Sequence, residues 1–273
     1  THSAVLTGAY TDFINAGAAT IKTDFQNVKD HTEGVSISLN AFDVTDSSVQ
    51  IPDFNKLFEL AEGPVTVTIG EDGENPILTT ILPSNDDVVT VDFGTASAST
   101  TGVIDAINAL AQKTGLYRIQ GTLTGVTGTI ADSLHSDLDS GNSHINFTTS
   151  GSLSVDQAHG LLSHTSTSNA SVQFAGGVSD ALSAYAADGN TKDKLDAIVA
   201  EDTDVVATVT GTLGSSSSTA AQDITDLNAL AAKFNETGLT SSSIVATIST
   251  DKDKLYNSTS GAAILATDSN DTI

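Results

Sequence analysis

The chain has 273 residues, of which 38% are hydrophobic and 5% aromatic, with no Trp, Cys or Met; a sizeable core is within reach, built from Val, Ile, Leu and Ala. Ten Lys and Arg against 34 Asp and Glu leave a net charge of −24, which excludes nucleic acid and anionic membrane surfaces as partners, because no basic stripe is present to neutralise phosphates. Absence of cysteine excludes disulfides, thiolate zinc sites and a thiol nucleophile, and no apolar run approaches the roughly 18–20 residues of a membrane span.

Runs of β-branched residues bounded by Gly, Ser or Asn predict strands at 35–39, 65–69, 88–93, 116–123, 144–148, 170–174, 204–213 and 243–248. Their starts lie 23 to 39 residues apart, which leaves room for a helix in most gaps. Helices are predicted at 12–28, 53–61, 102–113, 130–138, 155–163, 178–187, 192–200, 219–234 and 251–265. Boundary chemistry supports several of them. Pro52-Asp53 precedes an apolar stripe, Phe54, Leu57, Phe58 and Leu60, that stops at Gly63-Pro64 before a strand. Ser154 is placed to cap the helix carrying Val155, Ala158, Leu161 and Leu162, and Ile224, Leu227 and Leu230 fall on one helical face.

Two of these helices are near copies, Ile107-Asn-Ala-Leu-Ala-Gln-Lys-Thr-Gly115 and Leu227-Asn-Ala-Leu-Ala-Ala-Lys-Phe-Asn-Glu-Thr-Gly238. A unit of one short helix and one short strand cannot bury its own apolar face, so neighbours must stack. The expected fold is α/β: repetitive β-α units forming an open or solenoidal, mainly parallel sheet, with all-β sandwich domains as the alternative. The small-residue stretch at 95–101 suggests a division into an N-terminal region, 1–98, with a turn-rich insertion at 70–87, and a β/α repeat region, 99–273.

Gly121-Thr-Leu-Thr-Gly-Val-Thr-Gly-Thr-Ile-Ala-Asp132, Gly151-Ser-Leu-Ser-Val-Asp-Gln-Ala158 and Val209-Thr-Gly-Thr-Leu213 resemble the degenerate repeats of very large secreted surface proteins of the haemolysin-like, repeat-in-toxin type. These are found in cyanobacteria and other marine bacteria. The likeness covers about residues 100–265, and Ser269-Asn-Asp-Thr-Ile273 is similar to the tail of a calcium-binding nonapeptide repeat. The paired Gly-Gly-x-Gly-x-Asp turns are missing, so that family's calcium roll does not carry over to this stretch.

Ser and Thr number 70 of 273 residues, a share common in secreted adhesive proteins, and the acidic surface suits a salty exterior that screens self-repulsion. The expected location is therefore secreted or at the cell surface. The start, Thr1-His-Ser-Ala4, has neither initiator Met nor signal peptide, and with no Met anywhere the chain is expected to be a mature product or an internal piece of a longer protein.

No Gly-x-Ser-x-Gly elbow is present and no hydroxyl is singled out as a nucleophile, so the chain is expected not to be an enzyme. His159 and His164 lie five apart, off a common helix face, while His135 and His144 flank Asp137 and Asp139. Hard oxygen ligands point to calcium before any transition metal, with Asp86, Asp87, Asp137 and Asp139 as candidate ligands and Glu71-Asp72-Gly73-Glu74 as a further acidic turn. Asn146, Asn169, Asn235, Asn257 and Asn270 begin glycosylation sequons.

Two functions fit. The first is a structural protein of an extracellular filament, sheath or surface layer that self-assembles head to tail as a homopolymer, with Val5, Leu6 and Tyr10 of the N-terminal segment completing the next copy. The second is a cell-surface adhesin or viral fibre module that binds glycans.

Overall fold

A computed structural model of the chain describes residues 4–32, 35–43, 47–60, 64–70, 88–112, 117–139, 143–165, 170–185, 189–213, 220–234, 243–248, 256–257 and 262–263. The first elements are β1 (Ala4–Gly8), α1 (Tyr10–Phe13), β2 (Ile14–Asn15), β3 (Thr20–Ile21), α2 (Thr23–His31), β4 (Val35–Leu39), β5 (Phe42–Asp43), α3 (Ser47–Leu60) and β6 (Val65–Gly70). The middle of the chain holds β7 (Val88–Ser97), α4 (Val103–Ala111), β8 (Tyr117–Val126), α5 (Gly128–Ala131), a 3-10 turn (Ser136–Asp139), β9 (Ser143–Thr149) and α6 (Val155–Ser163). Then follow β10 (Val172–Gln173), β11 (Val178–Ala181), α7 (Leu182–Tyr185), α8 (Gly189–Glu201), β12 (Val206–Leu213), α9 (Ala220–Phe234), β13 (Ser243–Ile248), β14 (Tyr256–Asn257) and β15 (Ala262–Ala263). The fold is α/β, not an all-β sandwich.

The chain forms two compact units. The first comprises Thr1–Thr124, Ser133–Asn146 and His164–Ala170, and the second Gly125–Asp132, Phe147–Ser163 and Ser171–Ile273. In the first unit the main strands follow one another in chain order: β4 sits between β1 and β6 (Leu6↔Ile37, Ile37↔Val65), β7 follows β6 (Val67↔Val89), and β8 follows β7 (Val91↔Ile119), all parallel, with short β5 also on β6 and β2 and β3 a separate antiparallel pair. The sheet is open, with β9 next to β8. In the second unit β10 pairs parallel with the end of β9 (Phe147↔Val172), and β11, β12 and β13 form a three-stranded parallel sheet. Helical connections enforce this sense, because a helix returns the chain to start the next strand in the same direction.

Alternation decides which face is covered. Val35, Ile37 and Leu39 of β4, Val65, Val67 and Ile69 of β6, and Val89 and Val91 of β7 are buried, while the residues between them are not. Parallel strands covered on both faces read as continuous apolar runs; these read as period two, so one face carries the helices and the other meets water. Phe54, Leu57 and Phe58 of α3, Ile107 and Leu110 of α4, and Ile224, Leu227 and Leu230 of α9 are all buried, as their helical spacing requires. Ser154 caps α6 reciprocally: its Oγ accepts from the Gln157 amide at 3.1 Å, and its own amide donates to Gln157 Oε1 at 3.1 Å.

Four predicted helices are corrected. The helix expected over 12–28 is two, interrupted by the antiparallel pair β2 and β3 (Ile14↔Ile21). What holds that turn is remote in sequence: fully buried Asp53 accepts from the amides of Gly17 and Ala19, each at 2.9 Å. The expected helix at 178–187 begins as strand β11, because Val178 enters the ladder opposite Ala207 before Leu182 starts α7. The span 130–138 divides into α5 and the 3-10 turn. Within 251–265, Tyr256–Asn257 and Ala262–Ala263 are an antiparallel strand pair instead of helix. Helix α3 also starts earlier than expected, at Ser47, with Pro52 in its second turn, where the amide bond it cannot make would go to the Ser48 carbonyl. The expected insertion at 70–87 lies, but for Gly70, outside the described residues.

Candidate functional site: a polar groove on the open sheet face

The water-facing side of the first unit's sheet is not uniform. Across β7, β8 and β9 the inward residues are Val89, Val91, Ile119, Leu123 and Ile145, all buried. Their alternates face outward and line a groove of about 400 Å³: Thr90 and Asp92 from β7, Arg118, Gln120 and Thr122 from β8, and His144 and Asn146 from β9. Register sets Thr90 opposite Arg118 and Asp92 opposite Gln120.

A strand irregularity borders this set. The pairing of β7 with β8 shifts between Asp92 and Thr95, and Gly121 takes φ +148°, where a Cβ would stand 2.6 Å from the Phe93 ring and 2.8 Å from the Gly94 carbonyl oxygen. The extra residue lies in β7, where the buried set passes from Val91 and Phe93 to Ala96 and Ala98, while β8 keeps simple alternation, with Gln120 and Thr122 outward and Ile119 and Leu123 inside. The same Gly-Thr pattern recurs in β12, where the register with β13 shifts between Thr208 and Thr212 around Gly211. Gly94-Thr95 and Gly211-Thr212 thus lie at strand irregularities, whereas Thr127-Gly128-Thr129 opens α5 with Thr127 as its cap.

Hydrogen bonding divides the groove into two rows. In one, Asp92 is held on both oxygens: Gln120 Nε2 donates to Oδ2 at 2.7 Å and the Gly94 amide to Oδ1 at 2.9 Å. In the other, Arg118 is exposed and has no hydrogen-bond or ion-pair partner among the described residues; it is the only arginine in the chain. His144, also exposed, has none either. The groove offers donors at Arg118, His144, Gln120 and Asn146 and one carboxylate. Asp92 and His144 rise from strands two places apart, roughly 10 Å between backbones, so no Asp–His dyad forms across them, and a single carboxylate supplies no acid–base pair of the glycosidase kind. The arrangement suits binding.

The sequence-predicted ligands are placed elsewhere. Asp137 is exposed in the 3-10 turn, its carboxylate 3.5 Å from His135 Nδ1. The backbone of Asp139 ends that turn, and Asp86, Asp87 and the acidic turn at 71–74 lie outside the described residues. His159 is half-buried in α6 and His164 is buried just beyond it. Among the described residues no three His, Asp or Glu side chains converge as a metal site. Of the sequons, Asn146 is in the groove, Asn257 is described in its backbone alone, and Asn169, Asn235 and Asn270 lie outside the described residues. Among the described residues no helix is long and apolar enough to cross a membrane.

Comparison with known proteins finds no matching family model, and no curated protein or solved structure matches the chain.

Proposed function

We propose that the chain is a non-enzymatic structural protein of an extracellular filament, sheath or surface layer, in which copies join head to tail through the edges of their parallel sheets. The observation that carries this reading is the free side of β1. Among the described residues that strand pairs only with β4, and its Val5 is 72% exposed. An unpaired edge with an exposed apolar residue is a template for another strand, and such heterologous contacts need not close, so they propagate. The Ser- and Thr-rich acidic composition and the likeness to repeat-in-toxin surface proteins support a secreted or cell-surface location. In this reading calcium bridges copies through Asp86, Asp87, Asp137 and Asp139.

Light scattering tests it. The intact chain is expected to polymerise in millimolar calcium and to disperse in EDTA, whereas deletion of residues 1–10 or Val5→Lys leaves folded monomers. A stable monomer of the intact chain at high concentration in calcium refutes assembly. A second reading, a cell-surface adhesin or viral fibre module that recognises glycans, is favoured by one feature, the polar groove with its unpaired arginine.

A further inference from the structure

We propose that the groove over β7, β8 and β9 binds a carboxylate-bearing sugar of the uronic acid class, with Arg118 clamping the carboxylate. The proposal deepens the glycan-binding reading and is independent of the assembly reading.

A chain with 34 acidic residues has one arginine, and among the described residues no acid pairs with it. Its neighbour across the ladder is Thr90, not a carboxylate. The acid that does line the groove, Asp92, is one row further along and already accepts from Gln120 and Gly94. The guanidinium therefore keeps its planar fork of donors for something from outside, and a carboxylate matches that fork with two parallel hydrogen bonds.

The second row says what the carboxylate is attached to. Two residues along a strand is about 7 Å, so the Asp92–Gln120 pair stands one sugar ring away from the Arg118 row. A held carboxylate next to an amide is suited to vicinal hydroxyls, one donating to Asp92 and the next accepting from Gln120. A simple inorganic anion would make no use of that row, and a neutral sugar would offer Arg118 only uncharged hydroxyl acceptors in place of a two-oxygen anion. Asp92 also repels a carboxylate lying in its own row, which fixes the orientation of the ring.

The net charge of −24 does not defeat this. At physiological ionic strength the Debye length is about 8 Å, so remote carboxylates are largely screened while the Arg118 contact at hydrogen-bond distance is not. The described lining residues include no Phe, Tyr or Trp on which a sugar ring could stack, so a single site is weak.

Titration of the full chain with trigalacturonate, its methyl ester and maltotriose, followed by calorimetry and amide NMR shifts, tests the proposal. The acid alone is expected to bind. Arg118→Ala is expected to weaken it tenfold or more without moving the melting temperature, since the exposed guanidinium makes no hydrogen bond or ion pair among the described residues. Arg118→Lys recovers part of the affinity, because an ammonium cannot form the fork. Equal binding of acid and ester, competition by sulfate as strong as by the acid, or no binding of the acid each overturns the proposal. Light scattering on Arg118→Ala separates the two readings: polymers that form but no longer take up the acid leave assembly standing, and monomers that still bind the acid leave the groove standing.

Discussion

Two glycines face the same β-bulge, and the structure gives them very different tolerance. At Gly121 the backbone has φ +148° and an added Cβ would lie 2.6 Å from Phe93 Cε2 and 2.8 Å from the Gly94 carbonyl oxygen. At Gly94 the backbone has φ +59°, and nothing lies within 4 Å of the added atom. For Gly94→Ala the left-handed conformation costs about 1–2 kcal/mol, offset by about 0.4–1 kcal/mol from the stiffer unfolded chain, so the net loss is about 1 kcal/mol. Gly121→Ala carries about 1–3 kcal/mol of backbone strain and about 1–3 kcal/mol of overpacking against a buried ring and a carbonyl, so about 3–5 kcal/mol in all. Since each kcal/mol moves the midpoint of a domain of 150–250 residues by about 2–4 °C, thermal melts should separate the variants by on the order of 10 °C. Gly121→Ala should also weaken ligand binding in the groove, because the added Cβ pushes on Phe93 and Gly94 beside Asp92, whose Oδ1 accepts from the Gly94 amide. A Gly94→Ala variant as unstable as Gly121→Ala would refute the steric argument and leave backbone conformation as the whole cost.

Asp53→Ala removes the acceptor that holds the Gly17–Ala19 turn, strands two amides, and is expected to cost about 2–4 kcal/mol, whereas Asp53→Asn, which keeps one acceptor, costs about half as much; urea unfolding of both variants measures the difference. Tyr185 Oη lies 3.0 Å from the carbonyl oxygens of both Val178 and Thr208, and burial first, then the neighbouring Asp180, pushes its phenol well above the ordinary value. A folded-state pKa raised above the unfolded one gives stability that is complete below about pH 10 and lost as pH rises from there toward the folded value. Melts from pH 8 to 12 should therefore fall more steeply for the native chain than for Tyr185→Phe, which loses about 1–3 kcal/mol at the outset; parallel curves would remove Tyr185 from the alkaline transition.

Strands 35–39 and 243–248 were legible to the residue because β-branched side chains at period two have one way of burying a face. The segment Val178-Ser-Asp-Ala-Leu-Ser-Ala-Tyr185 was not, since its apolar residues satisfy a helix and a strand equally and the tie is broken by pairing with β12, a contact no local pattern carries. The break in 12–28 was hidden for the same reason: the group that stabilises it, Asp53, is 34 and 36 residues away. The groove is harder still. Thr90, Asp92, Arg118, His144 and Asn146 are ordinary polar residues one by one, and become a site only when the register of successive strands is known; the lone arginine is the available signal, and by composition alone it speaks only for the absence of a basic surface. The candidate calcium ligands cluster along the chain, which says little about convergence in space.

Polar side chains tie each stretch of chain to the one about 25–29 residues ahead. Asn108 Nδ2 donates to the Ser133 carbonyl and Asn108 Oδ1 accepts from the His135 amide, Gln157 reaches back to Asp132, and the amides of Val155, Val172 and Phe174 donate to Asp180, Glu201 and Asp202. Each such closure costs about 3 kcal/mol in the length-dependent part of loop entropy, and doubling the loop would add only about 0.6 kcal/mol. Contacts of this short reach make folding local in sequence. A stretch can take its final form as soon as the next 30 or so residues have followed it, with no need to wait for the far end of the polypeptide. A chain built in this way can consolidate progressively along its length, each stretch settling on the one beside it in sequence.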